Sequence, residues 1–452
     1  MIRLKMIQKC VLPLALLASA TAGASMADHS HRAQAAGIDV VTYPTGVKDV
    51  VVIVGALPAG DAMAQSGNIA VPSLAGMMLD RGTKVLDKFA IADRLDNVGA
   101  SISFAVGVQS LEIHGKCLKK DLPLVLGLIA AELRTPALQP QEFAKAKQQF
   151  IGSLEASLQN TEGRAREAFG RTVFPEGHPN RPHSIADYLA AAKSASLDEV
   201  KAFNAKYYGP AHMTLIAVGD VTPADVEAEV AKSFSGWTGG RDYVRPAQPA
   251  LAAGPREVPV PLPEKPSVSV ILGQATGLKY RDPDALALRV GTAILGRGFT
   301  GRLMGTVRDK EGLTYNIGAA VSEDTIADGA WDISASFAPA LLDKGVAATR
   351  RELQKWWSDG ITDSELADRK QGLIGGYFVG LSNTAGLAGT IVTTIQRGYD
   401  LTWLDGYPEA VRALTRAEVN NAIKTHLDPA TMVLVEAGTL KSGADSKSAA
   451  DK

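Results

Sequence analysis

The sequence predicts an α+β fold built twice in tandem, and three observations carry that prediction. First, the chain repeats itself: PAHMTLIAVG from Pro210 to Gly219 returns as PATMVLVEAG from Pro429 to Gly438, an offset of 219. LDRG at Leu79–Gly82 returns as LGRG at Leu295–Gly298 (offset 216), and EFAKAK from Glu142 as ELADRK from Glu365 (offset 223). The matches keep their order while the offset drifts by a few residues, as expected of an old duplication. Second, PAQPALAAGPREVPVPLPEKP at 246–266 holds seven prolines and no strand or helix periodicity. Such a segment favours extended backbone and reads as a linker between the halves. Third, strands and helices come in blocks rather than in strict alternation, which favours α+β halves with helices on one sheet face.

The elements follow in order. Arg3, Lys5 and Lys9 precede the apolar run Val11–Ala20 and a small-residue stretch ending at Ala27. That order predicts a signal peptide over 1–27, export to the periplasm, and no membrane anchor. The N-terminal domain, 28–245, opens with an apolar run at Val50–Val54, a strand, then a helix over Pro72–Arg81. Ser101–Val108 and Leu111–Gly115 read as a hairpin, Leu122–Leu133 and Gln141–Leu158 as helices, and Thr214–Val218 as a closing strand. The C-terminal domain, 267–440, repeats this: a strand at Ser267–Leu272, a helix at Pro283–Leu295 and a hairpin of Leu313–Val321 with Trp331–Phe337. Helices over Lys344–Trp357 and Asp363–Leu381 and a strand at Met432–Glu436 complete it, and the tail 441–452 is polar and expected to fray.

Composition excludes some functions. The 452 residues carry a formal net charge of −1, so no basic footprint argues for nucleic acid. Removal of 1–27 takes away three basic groups and no acidic ones, leaving 44 basic against 48 acidic side chains. Cys117 is then the only cysteine, so an exported chain would have no internal disulfide and must rely on its cores. His178 and His183 flank Asn180-Arg181-Pro182 near Glu176, a pattern that fits a proline-punctuated surface loop better than a metal cluster. The glycines from Gly372 to Gly389 lack a phosphate-loop ending and suggest close helix packing or a break. Trp356-Trp357 suggests one core anchor and one partly exposed ring.

The most informative stretch is ILGRGFTGRLMGTVRDKEGLTYNIG at 294–318. A glycine-rich turn runs into a helix carrying Arg308; Gly312 can end it in a left-handed conformation, and a strand then presents Tyr315. A tyrosine hydroxyl and an arginine fork can both donate to the oxyanion of a tetrahedral intermediate or to a substrate carbonyl. From the pair alone, a helix cap and a half-buried strand aromatic would serve as well. The full run, however, resembles the Arg/Tyr signature of the insulinase/pitrilysin zinc peptidases, in their processing-peptidase-like branch, and with the duplication the resemblance spans roughly Gly37 to Leu440.

That resemblance implies an inverted zinc motif, H-x-x-E-H, in the N-terminal half, and the motif is not there. Alignment on Gly82-Thr83 puts its three positions at Ser73, Gly76 and Met77, with the third ligand near Ser153. Zinc needs imidazole, thiolate or carboxylate ligands, and hydrolysis an acid/base beside the bound water. The repeat places Arg289, Thr292 and Ala293 at the equivalent positions of the second half. The resemblance therefore implies no cofactor in this chain and two α+β sandwich-like halves forming half of a clam shell. A homologous partner bearing H-x-x-E-H would supply zinc and the other half, while Arg308 and Tyr315 bind the transition state of short or unfolded peptides in trans. The competing readings are an inert structural or peptide-binding scaffold of the same fold, and a self-sufficient peptidase with other ligands.

Overall fold

The computed structural model describes residues 25–64, 67–246 and 248–441. Residues 1–24 of the expected signal peptide and 442–452 of the expected tail lie outside them.

The N-terminal half begins with α1 (Met26–His29), β1 (His31–Ala35), β2 (Ile38–Pro44) and β3 (Val50–Leu57). It continues through α2 (Val71–Met77), α3 (Lys88–Asp96), β4 (Ser101–Val106) and β5 (Leu111–Leu118). Helices α4 (Leu122–Arg134), α5 (Pro140–Ser157), α6 (Thr161–Val173), α7 (Ile185–Ser194) and α8 (Leu197–Tyr207) lead to β6 (Thr214–Gly219) and α9 (Pro223–Ser233). The C-terminal half holds β7 (Arg256–Pro261), β8 (Val268–Ala275), α10 (Ala285–Gly296), β9 (Thr314–Ser322), β10 (Ala330–Phe337) and α11 (Leu342–Asp359). Helices α12 (Asp363–Leu381), α13 (Thr384–Gln396), α14 (Thr402–Ala413) and α15 (Arg416–His426) precede β11 (Val433–Gly438).

Each half has one sheet. The first is six-stranded in the order β1-β2-β6-β3-β5-β4, the second five-stranded in the order β7-β11-β8-β10-β9. The correspondence β2/β7, β6/β11, β3/β8, β5/β10, β4/β9 is the duplication in three dimensions, and the α+β class read from the sequence is the class observed. Two strands had no clear signal. The β1–β2 hairpin turns on Ala36-Gly37, both at positive φ (51° and 81°), without the Asn-Gly or Asp-Gly pair that announces such a turn. Within the proline-rich 246–266, β7 forms an edge strand parallel to β11; an edge tolerates Pro259 and Pro261, whose missing N–H groups would break an interior strand.

The expectation of helices on one sheet face is corrected: both faces of each sheet are covered. Val51, Ile53, Ile113, Leu215 and Ala217 pack beneath the half's own helices. Val52, Val54, Ile216 and Val218 face the other way, onto Leu387, Ala388, Ile391 and Val392 of α13, a helix from the C-terminal half. Reciprocally, Ala165, Phe169 and Val173 of α6 cover Ile271, Val433 and Val435 of the second sheet. The halves thus exchange helices. This explains why β3, β6 and β8 are buried along nearly their whole length instead of alternating.

Other expectations divide. Trp356 is fully buried, stacked 6.0 Å from Trp331, and Trp357 is partly exposed. A Cβ at Gly372, Gly375, Gly376 or Gly380 would meet nothing within 4 Å, so close packing does not explain these glycines; only Gly386 fits that reading, against the Gly380 carbonyl. His178 is not on a surface loop. It is buried between the halves, with Nε2 3.1 Å from Asp328 Oδ1 and its ring stacked on Phe174. The Asn180 N–H donates to its Nδ1, which leaves Nε2–H to donate to Asp328. Among the described residues no single helix is long and apolar enough to cross a membrane.

Candidate functional site

Arg308 stands on a seven-residue π-helical segment, Met304–Lys310, held by buried Met304 and Val307. Wide turns of this kind recur at functional sites because they re-aim a side chain. Gly312, at φ 64°, closes the segment: its N–H donates to the Arg308 carbonyl at 2.9 Å, and the Leu313 N–H to the Val307 carbonyl at 3.0 Å. The chain then enters β9, with Tyr315 its second residue. The guanidinium carbon of Arg308 lies 5.4 Å from the Tyr315 ring centroid, so the structure brings the two predicted site residues together.

A third member was missed. The Phe299 ring lies 5.3 Å from the Arg308 guanidinium carbon, so the cation is flanked by two aromatic rings. Phe299 is 72% and Tyr315 86% exposed, unusual for large rings with no solubility role. The only signal for Phe299 was its place in the glycine-rich run. Asp309 takes one hydrogen bond from Arg308 Nη1 at 3.2 Å, leaving the rest of the fork available.

The positions that the resemblance assigns to a metal line a pocket. Ser73, Gly76 and Met77 line a cavity of about 300 Å³ with Asp80, Arg81, Phe104, Val106 and Phe150. Ser73 Oγ lies 3.2 Å from Asp61 Oδ1 and 3.3 Å from the Tyr188 hydroxyl. Burial pushes the Asp61 carboxyl up to about 6, against the hydrogen bonds from Tyr188 and Ser73. At Gly76, where the catalytic glutamate would stand, a Cβ would lie 2.3 Å from Val106 Cγ2. Ser153, near the third ligand position, is exposed and donates to the Phe150 carbonyl. A hydroxyl, a hydrogen and a thioether do not fit a zinc ion, and no three His, Cys, Asp or Glu side chains among the described residues are grouped to hold one. His183 lies in a separate cavity of about 600 Å³ with Arg171, Glu176 and Tyr188, its ring 6.1 Å from that of Tyr188. Asp61 and Tyr188 gave no sequence signal, since each reaches Ser73 only through the tertiary fold.

Comparison with known proteins points to the same group of peptidases. Residues 194–373 match the family model described as the peptidase M16 inactive domain. Over that segment the chain is similar to the M16 peptidases, the insulinase-like group that the sequence resembled. An uncharacterized zinc protease of Streptomyces coelicolor is 26% identical over 322 residues, covering 70% of this chain and 69% of its own length. A Helicobacter pylori protein named as a non-peptidase homolog is 20% identical over 380 residues, covering 82% of this chain and 85% of its own. Among solved structures, a peptidase M16 inactive domain from Pseudomonas fluorescens superposes with a TM-score of 0.82 at 23% identity, covering 91% of this chain and 98% of that one. A Helicobacter pylori protease superposes at 0.80 with 19% identity, over 91% and 99%. At these identities the superpositions speak for the M16 fold.

Proposed function

We propose that this chain is the non-catalytic subunit of an exported, heterodimeric zinc peptidase. A homologous partner bearing H-x-x-E-H supplies the metal and the activated water. This chain supplies the far wall of a peptide-sized chamber and, from that wall, Arg308 and Tyr315. The observation that carries the reading is the Arg308–Tyr315 corner itself, held by buried anchors yet open to solvent, in a chain whose own metal position offers Ser73, Gly76 and Met77. In the mixed complex Tyr315 donates its phenolic hydrogen to the oxyanion, and Arg308 donates to the same oxygen or to the neighbouring carbonyl. Phe299 and Tyr315 hold the guanidinium in place between their rings. Such donors act because they are positioned before charge develops.

The scaffold reading is favoured by one observation, the non-peptidase name of the Helicobacter pylori relative. The two are separated by mixing the purified mature chain with an H-x-x-E-H homologue from the same source and following cleavage of a quenched peptide library. The subunit reading expects no cleavage by this chain and cleavage by the stable mixture well above that of the homologue alone. A mixture that forms no complex, or one no faster than the homologue, would leave the scaffold reading standing.

A further inference from the structure

The duplication sets a second pocket in the C-terminal half at the place the metal pocket takes in the first. Arg289, Thr292, Ala293 and Arg297 follow Ser73, Gly76, Met77 and Arg81 by 216 residues, Leu373 follows Phe150 by 223, and all line their own half's cavity. The second cavity, about 360 Å³, lies between α10, β9, α12 and α14.

Its chemistry is cationic. Two arginines and no acidic residue line it. Arg289 is paired with buried Asp324, whereas Arg297 is exposed and has no carboxylate within ion-pair distance among the described residues. The wall residue Tyr280 carries two guanidinium groups on its ring, Arg289 at 4.4 Å and Arg397 at 3.4 Å from the centroid. The Nε atoms of Arg289 and Arg397 are buried without a hydrogen-bond partner, which is unfavourable for a buried donor. The single carboxylate of Asp324 is taken up by Arg289, so the unpaired Arg297 guanidinium stands free at a pocket whose wall includes the apolar side chains of Val290 and Leu373.

We propose that this pocket binds the carboxylate of a peptide, from an acidic side chain or a free C-terminus. Guanidinium forks match carboxylates in two-point geometry, and the apolar wall suits a peptide's aliphatic neighbour better than a hydrated inorganic anion. Ala319, in the pocket wall, stands four residues after Tyr315 on β9, about 13 Å along the strand at its usual rise. The pocket thus anchors the peptide about four residues from the bond gripped at Tyr315. This deepens the subunit reading and rests on it for the peptide's presence, but binding is measurable on this chain alone.

The test uses fluorescein-labelled alanine-rich hexapeptides and fluorescence polarisation with the mature chain. One peptide has a free C-terminus, one an amidated C-terminus with an internal glutamate, and one is amidated without acid. The acid-bearing peptides are expected to bind about tenfold tighter than the neutral one, the size of one charge-assisted hydrogen bond. That preference should fall below about twofold in Arg297→Gln and persist in the charge-matched surface control Lys201→Gln. Arg297 is exposed, so its variant should fold, checked by an unchanged melting curve. Which acid-bearing peptide binds tighter tells the side chain from the terminus. The proposal is overturned by equal binding of all three, by no binding of the acid-bearing peptides, by a preference that survives Arg297→Gln, or by displacement with inorganic phosphate as effective as with acetate. Failure of the subunit reading would show elsewhere, as a mixed complex indifferent to Tyr315.

Discussion

Glu132 on α4 is 2% exposed, and one carboxylate oxygen has no hydrogen-bond partner. Burial, with Asp80 adding repulsion, raises its carboxyl from 4.5 to about 8. The folded state favours the protonated acid, so this contribution to stability is complete below the unfolded value of 4.5 and drains away as pH rises through about 8. The slope is about 1.4 kcal/mol per pH unit inside that window. Glu132→Gln should flatten the decline of Tm between pH 5 and 8.5; an unchanged profile would show that Glu132 is ionised throughout. Gly76 makes a second residue-scale case. Ser73→His, Gly76→Glu and Met77→His together should lose about 1–3 kcal/mol to overpacking against Val106 and hold little zinc. Adding Val106→Ala and Ser153→Glu should recover both, whereas stoichiometric zinc in the triple variant by metal analysis would contradict the fit argument. Arg308 and Tyr315 were legible because they sit seven residues apart in one run that also names its own turn. Asp61 and Tyr188 were not, because they reach Ser73 only through tertiary approach; Phe299 lay in the same run, but nothing in that run said its ring would meet Arg308.

Among the elements, the exchange of α6 and α13 is the feature least visible in the sequence. The apolar runs of β3 and β8 were read as strands covered on one face, because a strand by itself cannot say which helix covers its other face. The covering helices lie 223 residues apart at Thr161 and Thr384, the offset already seen for Glu142 and Glu365, so the repeat itself held the clue. Ile391 is fully buried on α13 against the first sheet, and Ile391→Ala should cost about 2–5 kcal/mol. Hydrogen exchange should then quicken at Val52, Val54, Ile216 and Val218, all in the other half. A change confined to the C-terminal half would mean that the halves fold independently. The His178–Asp328 contact joins the same two halves. Although burial opposes it, the His178 hydrogen bond and the Ala250 N–H hold the Asp328 carboxyl below its usual range. Asp328→Ala should therefore lower urea stability by about 1.5–3 kcal/mol at pH 7, the loss expected for a buried charge-assisted hydrogen bond.

At the scale of the whole molecule, two copies of one fold have taken up different chemistry. The N-terminal pocket is lined by Val106 and Phe150, with Ser73 hydrogen-bonded to Asp61 and Tyr188, while the C-terminal half carries an exposed Arg/Tyr corner and an arginine-lined pocket beside it. Such a division makes sense for a protein that completes a chamber whose metal lies in a different chain. The most direct measurement is the single-turnover rate of the mixed complex with Tyr315→Phe in this subunit, with assembly followed by sedimentation. Loss of one preorganised donor, about 3 kcal/mol, predicts cleavage about 100-fold slower with the complex intact. An intact complex that cleaves at the unaltered rate would contradict the account.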